Sequence, residues 1–291
     1  MMTSRPSAPA KINLFLHVGS ARADGYHPIE SLVAFADCGD DLQFSPGGDA
    51  FSIQVSGPFA KAAGDPEQNL VLKAARALKK KLPGIGGGKF SLTKNLPAGA
   101  GLGGGSSDAA AALRLIAKEN SVALNDPALY EAALACGADV PVCLERKARL
   151  ISGIGEVLSA PVSIPALHAV LVWPAAHVST PAVYRAFDEA EIPRSTEFGI
   201  KASEIPLEQN AFVKFLKKQN NDLTRAAWRV TPHVAEAEAT LRAVDHTRLI
   251  RISGSGSALF AIYEAASDAE TEAAAVSARY PDWWVKATML R

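Results

Sequence analysis

An excess of charge of either sign is the first thing this sequence lacks. Its 291 residues hold 30 Lys+Arg against 30 Asp+Glu, for a formal net charge of zero. Binding through a phosphate backbone usually requires a basic excess, so no nucleic-acid partner is expected. The one dense basic run, Lys79-Lys80-Lys81, ends a helical stretch, where cations suit the helix dipole. Cysteine is scarce too. Cys38, Cys136 and Cys143 show neither a CxxC pair nor zinc-finger spacing. An odd count of three argues against a disulfide framework, so buried thiols in a reducing compartment are expected. No run approaches the roughly 18 apolar residues of a membrane-spanning helix. Met1-Met2-Thr3-Ser4-Arg5-Pro6 lacks the apolar stretch of a secretory leader. The six histidines have no metal-ligand spacing, so no metal ligand is named. These absences leave a cytoplasmic protein with no membrane contact, with no strong cue beyond a monomer or weak homodimer.

What is present is a patterned chain. Residues 10–18 alternate with period two, which predicts a strand with Ile12, Leu14, Leu16 and Val18 on one face. Lys11, Asn13, Phe15 and His17 take the other. A turn at Ala23-Asp24-Gly25 precedes strand-like runs near 29–36, 40–44 and 51–55. Asn69 to Leu82 reads as a helix stopped by Pro83-Gly84. A short strand over 89–93 precedes a glycine-rich segment, and helices follow over 106–118 and 127–135. The texture changes after Gly155. A buried strand at 169–173 and polar helical stretches over 180–245 lead to a strand (249–252), a Gly-Ser turn (253–257), a strand (258–263), a helix (268–279) and a last strand (283–288). This alternation predicts an α+β chain of two domains, 1–155 and 156–291.

The most informative stretch is Pro97-Ala98-Gly99-Ala100-Gly101-Leu102-Gly103-Gly104-Gly105-Ser106-Ser107, which runs directly into an alanine-rich helix. Five of its eleven residues are glycine, a heavy entropic burden for a mere connector. Glycine lets backbone N–H groups converge and leaves space for a phosphate, and the helix N-terminus adds unpaired donors and a positive dipole end. Ser106 and Ser107 sit where an N-cap is expected, and their hydroxyls are in reach of a phosphate or its Mg²⁺. The bland alternative is a tight turn with a serine cap.

Other phosphate-binding patterns fail. Gly88-Lys89-Phe90 has neither the first glycine nor the final Ser/Thr of a Walker A loop. Gly99, Gly101 and Gly104 satisfy GxGxxG, with Glu119 about 20 residues on. Lys94-Asn95-Leu96-Pro97 precedes them, however, where a dinucleotide fingerprint requires a buried strand. Protein-kinase HRD and DFG motifs are absent.

The segment resembles the ATP-phosphate loop of the GHMP kinase superfamily, P-x-G-x-G-L-G-S/G-S/G-S-S. Pro9-Ala10-Lys11-Ile12-Asn13-Leu14 resembles that superfamily's first motif and Gly254-Ser255-Gly256-Ser257-Ala258 its third. Asp24-Gly25-Tyr26-His27-Pro28-Ile29-Glu30-Ser31 and Gly137-Ala138-Asp139-Val140-Pro141 are similar to the branch acting on 4-diphosphocytidyl-2-C-methyl-D-erythritol, in the non-mevalonate route to isoprenoids. The resemblance implies a two-domain GHMP kinase fold, its N-terminal domain ribosomal-protein-S5-domain-2-like and its C-terminal domain ferredoxin-like. It implies ATP and Mg²⁺, with phosphorylation of the substrate's 2-hydroxyl.

From sequence, Asp139 is either a rigidly held base or the cap of the next turn, and Lys11 either catalytic or a solvated strand lysine. The resemblance makes Asp139 the general base and sets Lys11 beside it, where a cation favours the ionised carboxylate. It gives Tyr26 a stacking role on the cytosine and His27 a hydrogen bond to its edge. The turn before them is expected to expose both side chains. In His177-Val178-Ser179-Thr180-Pro181-Ala182-Val183-Tyr184, Tyr184 stands where many relatives have Phe and supplies the second ring. Thr180 and Asn13 are assigned to the substrate as well. Lys94 is assigned to the nucleotide. Asn69 is either a nucleotide contact or a helix cap, and Ser253–Ser257 either a hairpin turn or a second glycine loop. Asn221-Asp222 is left without a role. Rival readings are a related kinase of mevalonate, homoserine or a sugar, and a non-catalytic nucleotide sensor. The pair of aromatics argues against the first and the pairing of Asp139 with Lys11 against the second.

Overall fold

The computed structural model describes residues 6–190, 194, 198–244 and 246–291. Residues 1–5, part of the segment read for a leader, lie outside the described residues. The chain forms two compact units, and they do not follow one cut at residue 155. The first holds residues up to Lys11, Asp37–Ala98 and Gly103–Arg146; the second holds Ile12–Ala36, Gly99–Leu102 and Lys147–Arg291. Strands β1 (Ala8–Val18) and β2 (Ile29–Pro46) each contribute residues to both.

In the first unit, β2 supplies Asp41–Pro46, which pair antiparallel with β4 (Gly88–Thr93); β4 also pairs in parallel with β3 (Phe51–Ser56). Phe44, Phe51 and Phe90 converge on this sheet, with Phe44 and Phe90 centroids 4.7 Å apart. Helix α1 (Leu70–Lys81) ends in the three lysines, as the dipole argument requires. Helices α2 (Gly104–Glu119), α3 (Pro127–Leu134) and α4 (Val140–Cys143) complete the unit. Alanines 74 and 75 of α1 and 109–112 of α2 are buried, and such small side chains let packed helices approach closely.

In the second unit, β2 pairs antiparallel with β5 (Arg149–Ser152), and β5 with β6 (Val157–Leu158). Beyond β7 (Leu167–Trp173) come α5 (Thr180–Asp188), α6 (Gln209–Lys218), α7 (Thr224–Val230) and α8 (Pro232–Arg242). The chain ends with β8 (Leu249–Ile252), β9 (Leu259–Tyr263), α9 (Ala266–Arg279) and β10 (Trp284–Leu290). An antiparallel sheet runs β10–β7–β9–β8, with α8 and α9 packed on it around Val170, Val172, Leu259, Ala261 and Val276.

Three further expectations change. The runs at 29–36 and 40–44 are one continuous strand of 18 residues. Strand β1 is not half solvated, because both its faces are covered; Lys11 and Asn13 are buried, at 4% and 3% exposure. The three cysteines are free thiols, but only Cys143 is buried and the other two are half-buried. No helix among the described residues is long and apolar enough to cross a membrane.

Candidate active site

Within the first unit, β1 delivers Lys11 to Asp139: its Nζ donates to Asp139 Oδ1 at 2.9 Å. A buried ammonium without a partner is costly, so the pair explains how a lysine survives in a covered strand. Asp139 occupies the N-cap position of α4, but its side chain makes no capping bond and turns to Lys11 instead. That removes the reading of Asp139 as a cap. Gly137 lies at φ +147°, a conformation that favours glycine, and Pro141 stiffens the first turn of α4. Behind Asp139, the Cys143 thiol donates to its carbonyl at 3.3 Å, and burial pushes that thiol's pKa up to about 12. Arg114 of α2 donates to the Cys143 and Leu144 carbonyls at 2.7 and 3.3 Å, so α4 is tied at both ends. The Asp139 side chain is nevertheless 46% exposed while that of Lys11 is 5% exposed. The result is a half-open carboxylate aimed by a sealed cation.

The glycine segment meets this pair at Gly103. It adopts φ +62°, and a Cβ there would lie 2.9 Å from Lys11 Cβ, so only glycine fits. Gly103 is also the residue preceding α2, which has no side-chain cap. This corrects the assignment of Ser106 and Ser107 as caps: both lie inside the first turns of the helix. The first helical bond runs from Ser107 N–H to Gly103 O at 2.8 Å, so the N–H groups of Gly104, Gly105 and Ser106 have no intrahelical acceptor. They form a ready anion cradle at the positive end of a 16-residue helix. Ser107 Oγ is sealed and has no hydrogen-bond partner among the described residues. Pro97 is buried and Ala98 half-buried on the approach to the cradle. Asn69 is the cap of α1, its Oδ1 accepting from Val71 N–H at 3.0 Å. A Cβ on Gly105 would lie 3.3 Å from Leu70, so the start of α1 abuts the cradle.

Lys94 is not where a nucleotide ligand is expected. Its ammonium is buried between Asp40, with which it makes a short ion pair, and Asp108, at 2.8 Å. Burial lowers its proton affinity, but the two carboxylates outweigh that and its pKa is raised. Burial pushes the Asp108 carboxyl up, to about 7, against the pull of Lys94. Neither Asp40 nor Asp108 was found by sequence reasoning. For Asp108 the available signal was an acid beside an alanine-rich run close to a helix N-terminus; Asp40, flanked by Asp37 and Asp41, carried none.

The second unit assembles the remaining candidates. Thr180, Tyr184 and Asp188 recur every four residues along α5 and so share one face. Against it lies His27, whose Nε2 is 2.9 Å from Asp188 Oδ1 and whose ring centroid is 4.9 Å from that of Tyr184. His27 is therefore buried, at 7% exposure, and not at the rim; Tyr26 alone projects, at 58%. The Asp24 side chain accepts from Tyr26 N–H at 3.1 Å and shapes the turn. Asp188 was missed by sequence reasoning, although its place one turn beyond Tyr184 was a usable signal.

Thr180 Oγ1 is 2.8 Å from Ser255 Oγ. Asn13 Nδ2 donates to Ser31 Oγ at 2.8 Å, and Asn13 N–H donates to Ser253 Oγ at 3.2 Å. Ser253 in turn donates to Gly101 O at 2.9 Å, and Ala258 N–H donates to Ala100 O at 2.8 Å. A Cβ on Gly101, at φ +78°, would lie 2.4 Å from Ser253 O. The 253–257 turn is thus a brace for residues 99–102 as well as a hairpin. Asn221 secures it, donating to the Ile252 and Gly254 carbonyls at 3.1 and 2.8 Å.

Comparison with known proteins gives the family. Residues 69–147 match the GHMP kinases N terminal domain. The chain is 47% identical to the 4-diphosphocytidyl-2-C-methyl-D-erythritol kinase of Xanthobacter autotrophicus, over 100% of both chains. It is also 47% identical to the enzyme of that name from Methylorubrum extorquens, over 100% of this chain and 99% of the other. A crystal structure of 4-(cytidine 5'-diphospho)-2C-methyl-D-erythritol kinase matches with a TM-score of 0.78 at 33% identity, covering 97% of each chain. Homoserine kinase from Cytophaga hutchinsonii, 18% identical with a TM-score of 0.63 over 99% of this chain and 96% of that one, shares the α+β GHMP fold alone. The chain belongs to the 4-diphosphocytidyl-2-C-methyl-D-erythritol kinase family of GHMP kinases.

Proposed function

We propose that this chain transfers the γ-phosphoryl group of ATP to the 2-hydroxyl of 4-diphosphocytidyl-2-C-methyl-D-erythritol, a step of the non-mevalonate route to isoprenoids. The observation that carries this reading is the Lys11–Asp139 pair at 2.9 Å, half open on the carboxylate side and crossed by the glycine segment at Gly103. Asp139 accepts the proton of the substrate hydroxyl as its oxygen attacks the γ-phosphorus and ADP departs. Lys11 holds the carboxylate in direction and offsets its charge beside an anionic nucleotide. The N–H groups of Gly104, Gly105 and Ser106 receive phosphate oxygens and stabilise charge that develops on them. Asn69 serves this site through the cap of α1.

Mg²⁺ in such a reaction offsets the charge of the bridged phosphates. Among the described residues no group of three His, Cys, Asp or Glu could hold a metal. Mg²⁺ commonly takes one or two protein oxygens and fills its shell with phosphates and water. The sealed, unpartnered Ser107 hydroxyl at the head of α2 is an oxygen of the required kind and would hold it.

For the acceptor, Tyr26 and Tyr184 offer rings for a nucleobase, and His27 offers an imidazole nitrogen for its edge. Thr180 and Asn13 belong to the same substrate-binding set. A monomer or weak homodimer is part of this proposal. ATP consumption with Mg²⁺, measured in parallel on the cytidyl alcohol, mevalonate and homoserine, tests the reading. Turnover is expected with the cytidyl alcohol alone; turnover with mevalonate or homoserine would overturn the assignment of Tyr26, His27 and Tyr184.

A further inference from the structure

Lys94 lies three residues before the glycine segment, where a cation suggests a phosphate contact. Its surroundings point elsewhere. The Lys94 side chain is 6% exposed, and its ammonium meets two carboxylates that are themselves 0% and 4% exposed. Turning it toward a nucleotide would leave both acids buried without a cation, the arrangement most costly to a protein interior.

The two acids belong to opposite ends of the phosphate segment. Asp40 uses Oδ2 for Lys94 and Oδ1 to accept from the N–H groups of Asn95 and Leu96 at 2.5 and 2.8 Å. It therefore holds the backbone that enters the segment. Asp108 is the fifth residue of α2 and holds the helix that leaves it. A Cβ on Gly104 would lie 3.4 Å from Lys94 Nζ and 3.5 Å from Asp40 Oδ2, so the charged triad lies against the first helical residue. The N–H of that residue is one of the donors of the anion cradle.

We propose that Asp40, Lys94 and Asp108 form a clamp that joins the two ends of the phosphate-binding segment, with Lys94 a positioning residue for the cradle and not a ligand of the nucleotide. This rests on the phosphate-binding reading of that segment. A glycine-rich stretch loses much conformational freedom when it is ordered. One buried ammonium that fixes both ends meets that cost during folding, before the nucleotide arrives, and so raises affinity through pre-organisation.

The test is a double-mutant cycle with Lys94→Met, Asp108→Leu and the combined variant. Calorimetric titration of the full chain with ADP, thermal unfolding and the KM for the alcohol are measured on each. The clamp predicts that either single change weakens ADP binding by about tenfold, that the double variant binds no worse than the weaker single, and that the alcohol KM holds. Should Lys94→Met fail to fold because Asp40 is left without its cation, Asp108→Leu carries the test, since it keeps the Lys94–Asp40 pair and frees only the helix end of the clamp. ADP binding lost only with Lys94 and retained in Asp108→Leu would make Lys94 a direct ligand and overturn the clamp. Lower melting temperatures with unchanged ADP affinity would also overturn it, reducing the triad to a structural feature. Failure of the unmutated protein to bind ADP at all would remove the kinase reading first, and the clamp with it.

Discussion

The first unit holds two lysine–aspartate constellations, and both lysines are about equally buried, with side chains 5% and 6% exposed. They differ in their acids. Lys11 pairs with the carboxylate of Asp139, which is 46% exposed; Lys94 pairs with the carboxylates of Asp40 and Asp108, both sealed. An ammonium shared by two buried acids is sealed from an incoming group, and the acids have no path to a substrate proton. An acid at the head of a four-residue helix, pinned on one oxygen and open on the other side, has such a path. Residue type is the same in the two places, so the proposed division between chemistry and scaffolding rests on the access of the acid.

Exchange of each acid for its amide is the sharpest way to break this contrast. Asp139→Asn is expected to lower phosphoryl transfer by about 10²–10⁴-fold, the range for loss of a general base. Away from the pair, Tyr184→Ala removes a ring at 4.9 Å from His27 and is expected to weaken the cytidyl substrate by about 1–3 kcal/mol, by analogy with aromatic–base stacking. Steady-state KM values for alcohol and ATP check it; a shift in the ATP value alone would contradict the assignment.

Asp108→Asn is expected to act on stability and its pH dependence. Burial raises the folded-state pKa of Asp108 from 3.8 to about 7, so the folded protein holds a proton that the unfolded chain has released. That contribution is fully present below about pH 4 and is lost as the pH climbs to about 7. The amide cannot ionise, so the variant should show a flatter decline in urea midpoint from pH 4 to 7. A parallel decline in both proteins would show that Asp108 does not titrate in this window. The smallest effect is expected at Asn69→Ala, which removes the cap of α1 for about 1 kcal/mol of stability. Urea unfolding reads that loss, and an accompanying fall in ATP affinity would restore Asn69 as a nucleotide contact.

Much of this architecture was legible from the sequence because it is local. Apolar periodicity located β4, α1, α3, β8 and α9 to within a few residues. Glycine density at 99–105 marked the segment where backbone approaches Lys11 and Ser253, with positive φ at Gly99, Gly101 and Gly103. What escaped depends on long-range pairing. Nothing near Lys94 announces that Asp40, 54 positions away, already holds it. His27 lies in a turn that looks exposed, yet Asp188, 161 positions on, draws it inward. The serines read as caps were displaced by Gly103, whose left-handed conformation starts α2 without a side-chain oxygen. Charge pairs and caps of this kind are settled by which elements pack together, and period and composition do not encode that.

On the proposed function the half-open acid does the chemistry and leaves nucleotide binding to the glycine segment. Single-turnover phosphoryl transfer by Asp139→Asn, with ATP affinity titrated on the same preparation, tests it most directly. Transfer reduced by about a hundredfold or more, with ATP affinity within a few-fold of the unmutated protein, is the expected result. Transfer preserved to within a few-fold, or ATP binding lost together with transfer, would contradict it.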